Sequence, residues 1–282
     1  INMRTIEELI DLNEPGWDLV SEWLKDAKNK YEILPKDDVN AERELLNVQV
    51  TTRSPMGAVI FETGGILIDH GWLRILGSGS EKLNRGLSAW NKGKTFENYG
   101  DFPTHFLIAD DVIGGYFALN AGGVGEDMGK VYYLAPDTLA WENLDIGYSE
   151  FLRWTLTGDI KKFYELFRWN SWEADTREVH GNQVYNFTPN LCIAKMIVEI
   201  ITKYLESNKR LVVPNLGTFI VKVAGESVLF SALIKNDDGV LRSLLQQQGM
   251  SELEAAGAVD RFVFEVNYRL QNDKECRLKG FG

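Results

Sequence analysis

The spacing of apolar residues predicts a first part of the chain with helices at both ends and strands between them. Two short helices are predicted first, on either side of the break at Pro15-Gly16. From Val48 to Leu119, short apolar runs alternate with glycine-rich turns, a pattern typical of strands. The predicted strands are 48–50, 58–61, 66–68, 72–76, 106–109 and 116–119, with one more at 131–134. Helices are then predicted around 151–154 and 163–167. This order indicates an α+β domain, a mixed or antiparallel sheet flanked by helices.

A different pattern begins at residue 190. Apolar residues recur at helical spacing over 193–205, and Pro214 to Gly217 then form a turn between the predicted strands 211–213 and 219–221. A third strand at 228–230, a helix capped by Asp237-Asp238 and a last helix that starts at a Ser251 capping box follow. These elements predict a smaller α+β domain. The plan of helix, turn and strand recurs near 268–282, as in a partial second repeat, so we expect the native chain to continue beyond Gly282.

Charge supports the same division into domains 1–189 and 190–282. The chain of 282 residues has a net charge of −11. Residues 1–189 contain 18 Lys and Arg against 30 Asp and Glu, whereas residues 190–282 contain 12 against 11. All eight tryptophans also lie in the first part. An acidic domain repels nucleic acid and anionic lipid, and no apolar run approaches the length that crosses a bilayer.

The candidate chemistry of the first domain is concentrated in a few polar residues. Asp69 and His70, near Ser78, suggest a hydrolase, but no nucleophile elbow surrounds the serine. Asp110-Asp111 with Asp101 or Glu126 suggests a cation site, although such acidic pairs are usually solvated. We expect a turn at His70 with a positive φ at Gly71, and we expect His70→Ala to destabilise the fold by leaving buried groups unpaired. The candidate binding residues are therefore Asp69, His70, Trp72, Ser78, Asp110 and Asp111, and no catalytic residue, metal or cofactor is predicted.

Three segments of the first domain resemble an uncharacterised bacterial family, Domain of Unknown Function 2625. They are 53–57 with 69–79, 108–115 and 132–139. More loosely, the segments 114–119, 131–133 and 148–152 are similar to the SUKH superfamily, whose bacterial members include immunity proteins that bind toxins. The second resemblance implies a protein partner.

The segments 212–219 and 278–282 of the second domain resemble the HU and integration-host-factor-like fold. HU proteins bend DNA with a long basic arm that has a proline at its tip. The corresponding stretch, 222–227, is short, has one basic residue and lacks that proline. The resemblance therefore implies the fold without strong DNA binding.

Together these features predict a cytoplasmic, non-enzymatic protein that binds a protein partner in an immunity-like or assembly role. Homo-oligomer formation is left open, and no membrane association is expected. The alternatives are an HU-like nucleic-acid-binding protein with an accessory domain and a hydrolase that uses Asp69 and His70.

Overall fold

The computed structural model describes residues 3–187, 191–223, 227–232 and 237–272. The chain divides into two compact units, Ile1–Tyr185 and Asn186–Gly282. Each unit combines helices with an antiparallel sheet.

Unit 1 is built on a seven-stranded antiparallel sheet whose strands follow one another in chain order. Each strand pairs with the next along the chain, so the sheet is a meander with β1 and β7 at its edges. The strands are β1 Tyr31–Leu34, β2 Gly65–Ile68, β3 Leu73–Leu76, β4 His105–Asp111, β5 Tyr116–Asn120, β6 Val131–Leu134 and β7 Trp141–Asn143. The predicted α+β class, with a helix-flanked antiparallel sheet, is confirmed.

The helices of unit 1 precede, interrupt and follow the sheet. They are α1 Ile6–Leu9, α2 Gly16–Lys25, α3 Asp38–Val48, α4 Pro55–Glu62, α5 Leu87–Asn91, α6 Tyr148–Thr157, α7 Ile160–Phe163 and α8 Trp172–Glu178. Strand β4 carries an irregularity between Leu107 and Ala109, and the buried Asn91 side chain hydrogen-bonds both the N–H and the carbonyl of Leu107 there. Helix α5 therefore fixes the backbone of β4 where its pairing changes.

The predicted strand 58–61 is wrong, because these residues lie in α4. Ser54 caps the helix, with its hydroxyl accepting from Gly57 N at 3.0 Å, and Pro55 occupies the first turn. Both residues are typical of a helix start. Gly57 is required for the entry, because a Cβ there would lie 2.1 Å from the Thr51 carbonyl oxygen.

The predicted strand 48–50 is also wrong. Val48 is the last residue of α3, a helix that begins where the Asp37 carboxylate accepts from Asn40 N at 2.9 Å. Gln49 then adopts a left-handed conformation with φ 59° and ends the helix. The edge strands β1 and β7 and the helix α5 carry no clear sequence pattern and were not predicted.

Within its described residues, unit 2 has a three-stranded sheet and three helices. They are α9 Leu191–Ser207, β8 Arg210–Val213, β9 Gly217–Val223, β10 Ser227–Ser231, α10 Val240–Gln247 and α11 Glu252–Asn272. The predicted helices, hairpin and third strand are confirmed, as is the Ser251 capping box, where Ser251 N donates to Glu254 Oε2 at 2.8 Å. The core of unit 2 is a cluster of aliphatic and aromatic side chains, among them Ile201, Val213, Leu245 and Phe262.

Two sequence-based expectations fall on residues that the structure does not describe. The tip of the predicted arm, 224–226, and the strand of the partial second repeat, 273–282, both lie outside the described residues. None of the described helices is both long enough and apolar enough to cross a membrane.

Candidate functional site

The turn predicted at His70 is confirmed: residues 69–72 join β2 to β3. Asp69, His70 and Gly71 have φ values of 53°, 64° and 88°. Two successive non-glycine residues in this region are uncommon, although Asp and His tolerate it better than most. Asp69 N donates to the Lys30 carbonyl oxygen at 2.7 Å, which fixes the turn to the segment that enters β1.

Asp69 and Trp72 both contact Arg168. The Arg168 Nη2 donates to Asp69 Oδ2 at 2.5 Å, and its guanidinium lies 5.0 Å from the centre of the Trp72 ring and 3.9 Å from that of Trp172. Trp72 is fully buried and packs edge-on against Tyr164 and Trp172. Asp69 is therefore an ion-pair partner, and Trp72 is part of the core of unit 1.

His70 contacts two cationic side chains and one carboxylate. The Arg177 Nε donates to His70 Nδ1 at 3.0 Å, while the other ring nitrogen lies 3.3 Å from Lys30 Nζ and 3.4 Å from Glu173 Oε2. Burial, and then the charges of Arg177 and Lys30, lower the pKa of His70. Because Lys30 and Arg177 are exposed, His70→Ala would not leave buried groups unpaired, and that expected reason was wrong.

Asp110 accepts hydrogen bonds from two buried arginines. The Arg74 Nε donates to Asp110 Oδ1 at 3.0 Å and the Arg85 Nη2 donates to Asp110 Oδ2 at 2.7 Å. Arg74 also donates to the carbonyl oxygens of Asp111 and Gln183. Asp110 therefore belongs to a buried ion cluster, and the expectation that it lies in a solvated loop is wrong.

Asp111 is fully buried and accepts from two phenols. Its Oδ2 accepts from Tyr133 at 2.7 Å and from Tyr164 at 3.0 Å, and its Oδ1 accepts from Gly115 N at 2.7 Å. Burial raises the pKa of the Asp111 carboxyl despite these donors. A Cβ at Gly115 would lie 2.4 Å from the Tyr133 hydroxyl, so glycine is needed at this position.

Ser78 is also buried, and its hydroxyl donates to the Thr63 carbonyl oxygen at 2.8 Å. The structure does not bring the three residues of the hydrolase alternative together as a working triad, because Asp69 pairs with Arg168 and Ser78 is inside the fold. Within the described ranges, no three His, Cys, Asp or Glu side chains are grouped so that they could hold a metal ion.

A cavity of about 780 Å³ lies beside the turn, and we call it the turn cavity. Its lining includes cationic, acidic and apolar side chains together with the buried Thr176. These lining residues are Asn29–Glu32, Leu67, His70, Gly71, Arg74, Lys82 and 176–181. Of the predicted binding residues, His70 lines this cavity; Asp69 adjoins it in the turn, and Trp72, Ser78, Asp110 and Asp111 are buried.

Sequence reasoning missed the cations that surround the turn: Lys30, Arg168 and Arg177. They lie far from residue 70 along the chain, so local patterns could not place them. One signal was available, because Arg168 and Arg177 flank Trp169 and Trp172, and arginine often stacks on tryptophan.

Comparison with known proteins relates this chain to one family. Residues 6–211 match the family described as "Protein of unknown function DUF2625". The chain belongs to the DUF2625 family. The match covers unit 1 from α1 onward and extends into β8 of unit 2.

Two relatives of this DUF2625 protein extend the comparison. An "Uncharacterized protein" of Haemophilus influenzae is 52% identical over 189 residues, which are 67% of this chain and 83% of the relative. The "Putative uncharacterized protein YbfG" of Escherichia coli K12 is 46% identical over 191 residues, 68% of this chain and 87% of the relative. No solved structure matches the chain. These comparisons do not confirm the resemblances to the SUKH superfamily and to HU.

Proposed function

We propose that this chain is a non-enzymatic binding protein whose acidic unit 1 engages a basic protein partner. The observation that carries the proposal is the location of the acidic residues. Among the described residues of unit 1, the buried carboxylates are Glu44, Asp110, Asp111 and Asp137. Residues 1–189 contain 30 acidic and 18 basic residues, and most of the acidic side chains are therefore at the surface of unit 1. There they attract cationic partners over a distance of about 10 Å.

Helix α2 concentrates this charge on one face. Asp18, Glu22 and Asp26 are spaced by four residues and are all exposed, so they lie along one side of the helix. Leu19, on the same helix, is 44% exposed. We call Asp18, Leu19, Glu22 and Asp26 the acidic helix face. An exposed leucine beside carboxylates suits a partner surface that combines Lys or Arg with apolar side chains.

The non-enzymatic part of the proposal rests on the contacts of the alternative active-site residues. Ser78 is inside the fold and donates to the main chain, and Asp69 is paired with Arg168. Neither group is arranged to activate a nucleophile beside His70.

Capture experiments with the tagged full-length chain test the proposal. We expect lysate of the native host to yield a bound basic protein at about 50 mM salt and to lose it at about 500 mM, because exposed charges are screened. The variant with Asp18→Asn, Glu22→Gln and Asp26→Asn should lose this protein. The matched control, Glu42→Gln, Glu97→Gln and Glu165→Gln, removes three exposed carboxylates elsewhere and should retain it.

Two results would reject the proposal. One is the absence of any retained protein at low salt, and the other is equal retention by both triple variants. The identity of the retained protein decides between the two forms of the proposal. A distinct basic protein such as a toxin fits the immunity-like role, whereas retention of only a further copy of this chain, whose net charge is −11, would contradict a basic partner.

A further inference from the structure

The side chains around His70 present more hydrogen-bond donors than the ring can satisfy. A neutral imidazole accepts at one nitrogen only. The Arg177 Nε already donates to Nδ1, which leaves Nε2 to carry the proton. Lys30 Nζ and Arg177 Nη2 nevertheless lie 3.3 and 3.2 Å from Nε2. These two donors therefore face another donor rather than an acceptor, and because both side chains are exposed they are left to water.

The same geometry places two positive charges close together. Because both contact one atom, Lys30 Nζ and Arg177 Nη2 lie within about 6.5 Å of each other. Glu173 is the carboxylate at this point, 3.4 Å from His70 Nε2 and 3.8 Å from Arg177 Nη2. Asp69 pairs with Arg168 instead. Within contact distance of His70 Nε2 there are thus two cations and one carboxylate, and the further acidic residue of the cavity lining beside Arg177 is Glu178.

We propose that the turn cavity binds a small organic anion, a carboxylate or a phosphate ester, whose charged group lies between Lys30 and Arg177. An anionic oxygen there would accept from both donors in place of water and cancel their repulsion. None of the residues that line the cavity belongs to the acidic helix face.

The rest of the cavity suits the organic body of such a molecule. Its volume of about 780 Å³ lies within the usual range of small-molecule sites. Tyr31, Leu67 and Val179 supply apolar lining, and Glu32 is neutralised by Lys82 at 2.5 Å. Thr176 also lines the cavity, and its buried hydroxyl has no hydrogen-bond partner among the described residues.

Anion binding should also change the titration of His70. Burial is the largest cause of the lowered pKa of His70. Of the charged groups around the ring, the cations Arg177 and Lys30 lower this pKa more than the carboxylates Glu173 and Asp69 raise it. An anion between Lys30 and Arg177 opposes the cationic influence. The pKa of His70 should therefore rise when the cavity is occupied, whereas His105, on β4, should titrate unchanged.

Calorimetric titration of the full chain with citrate and with inorganic phosphate tests the site. Measurements at pH 7 and constant ionic strength, set with sodium chloride, separate binding from general screening. We expect millimolar or tighter binding of at least one probe. Lys30→Met and Arg177→Met should each weaken it at least about tenfold, the loss of one charge-assisted hydrogen bond. Lys161→Met, at an exposed lysine of α7, should bind as the wild type does.

The two probes distinguish the source of the anion, since preference for citrate indicates a carboxylate ligand and preference for phosphate a phosphate ester. An NMR titration of the histidine ring signals keeps the test valid if a variant does not fold. The proposal is overturned if the wild type binds neither probe beyond the chloride control. Unchanged affinity in Lys30→Met and Arg177→Met, or a probe that leaves the His70 titration unaltered, would overturn it equally.

Discussion

Gly71 and His70 share a left-handed backbone conformation but differ in what their side chains contact. Gly71 has φ 88°, and a Cβ there would meet no atom within 4 Å. A substitution at Gly71 is therefore opposed by backbone strain alone. His70 already has a side chain at φ 64°, and its ring contacts the exposed Lys30 and Arg177. The loss of that ring leaves groups that water can reach.

We therefore expect Gly71→Val to lower the free energy of unfolding by about 1–2 kcal/mol, the usual cost of a branched residue in this region. His70→Ala should cost about 0.5 kcal/mol, as for other changes whose partners are hydrated. Urea denaturation of both variants measures the difference. A Gly71→Val protein as stable as the wild type would show that the turn can rearrange, and the assigned conformation would then be incorrect.

Single residues of the site were predictable only where chemistry was local. The turn at 69–72 follows from Asp69, His70 and Gly71 themselves, which tolerate positive φ. The burial of Asp110 depends on its ion pairs with Arg74 and Arg85, which come from other parts of the chain. A sequence pattern contains no information about partners at such distances, so a solvated acidic pair was the reasonable expectation and it was wrong.

Between elements, the short helix α5 depends on a carboxylate from α3. The buried Glu44 accepts from Ser88 N at 2.5 Å and from Ala89 N at 3.4 Å, at the start of α5. A Cβ at Gly86 would lie 2.3 Å from the Glu44 carboxyl carbon, so the glycine lets the two helices approach. Burial raises the pKa of Glu44 above its ordinary value of 4.5.

This raised pKa predicts a pH dependence with a definite sign. Above pH 4.5 the unfolded carboxyl loses its proton while the folded one retains it, so the free energy of unfolding falls as pH rises toward the folded pKa. Glu44→Gln keeps an acceptor for Ser88 N and removes the charge. Its stability relative to the wild type should increase with pH and then level off.

Denaturant unfolding at intervals from pH 4 to pH 8 measures this effect. Glu42→Gln, an exposed neighbour on the same helix, is the control and should follow the wild type. If the free energy of unfolding of Glu44→Gln changes with pH as steeply as that of the wild type, the Glu44 carboxyl is not the cause of the pH dependence.

Element types were predictable where length and caps agreed with the apolar pattern. Helix α9 was predicted from spacing alone and α11 from spacing together with the Ser251 capping box. The run 58–61 was too short to distinguish a buried strand from a buried helix. The deciding signals were Ser54 and Pro55 ahead of the run, which specify a helix start. Edge strands β1 and β7 are mostly exposed, so neither contains the apolar run by which the other short strands were recognised.

At the scale of the whole molecule, charge and tryptophan both distinguish the two units. All eight tryptophans lie in unit 1, so their fluorescence reports that unit alone, while circular dichroism detects the helices of both. Unit 2 has its own hydrophobic cluster. Separate cores are able to unfold separately.

We expect guanidinium unfolding of the full chain to give different midpoints by fluorescence and by circular dichroism.

Thermal unfolding in sodium chloride is a second test. Sodium chloride at low concentration should raise the thermal midpoint measured by fluorescence, because it screens repulsion among the surface carboxylates of unit 1. The control is the second transition in the dichroism signal, which belongs to the nearly neutral unit 2. Its thermal midpoint should change less with salt. Coincident midpoints at every salt concentration would mean that the two units unfold as one.

The chain order of the strands in unit 1 also bears on how the protein is made. Every strand of the meander after β1 pairs with the strand immediately before it in the chain. A sheet of this kind can grow one strand at a time as the ribosome releases the chain, since no strand waits for a partner that has not yet been synthesised. Arg168 and Arg177 emerge late in this unit and contact Asp69 and His70, which emerged about a hundred residues earlier. The cations that complete the surroundings of the turn are therefore synthesised only after all seven strands of the sheet.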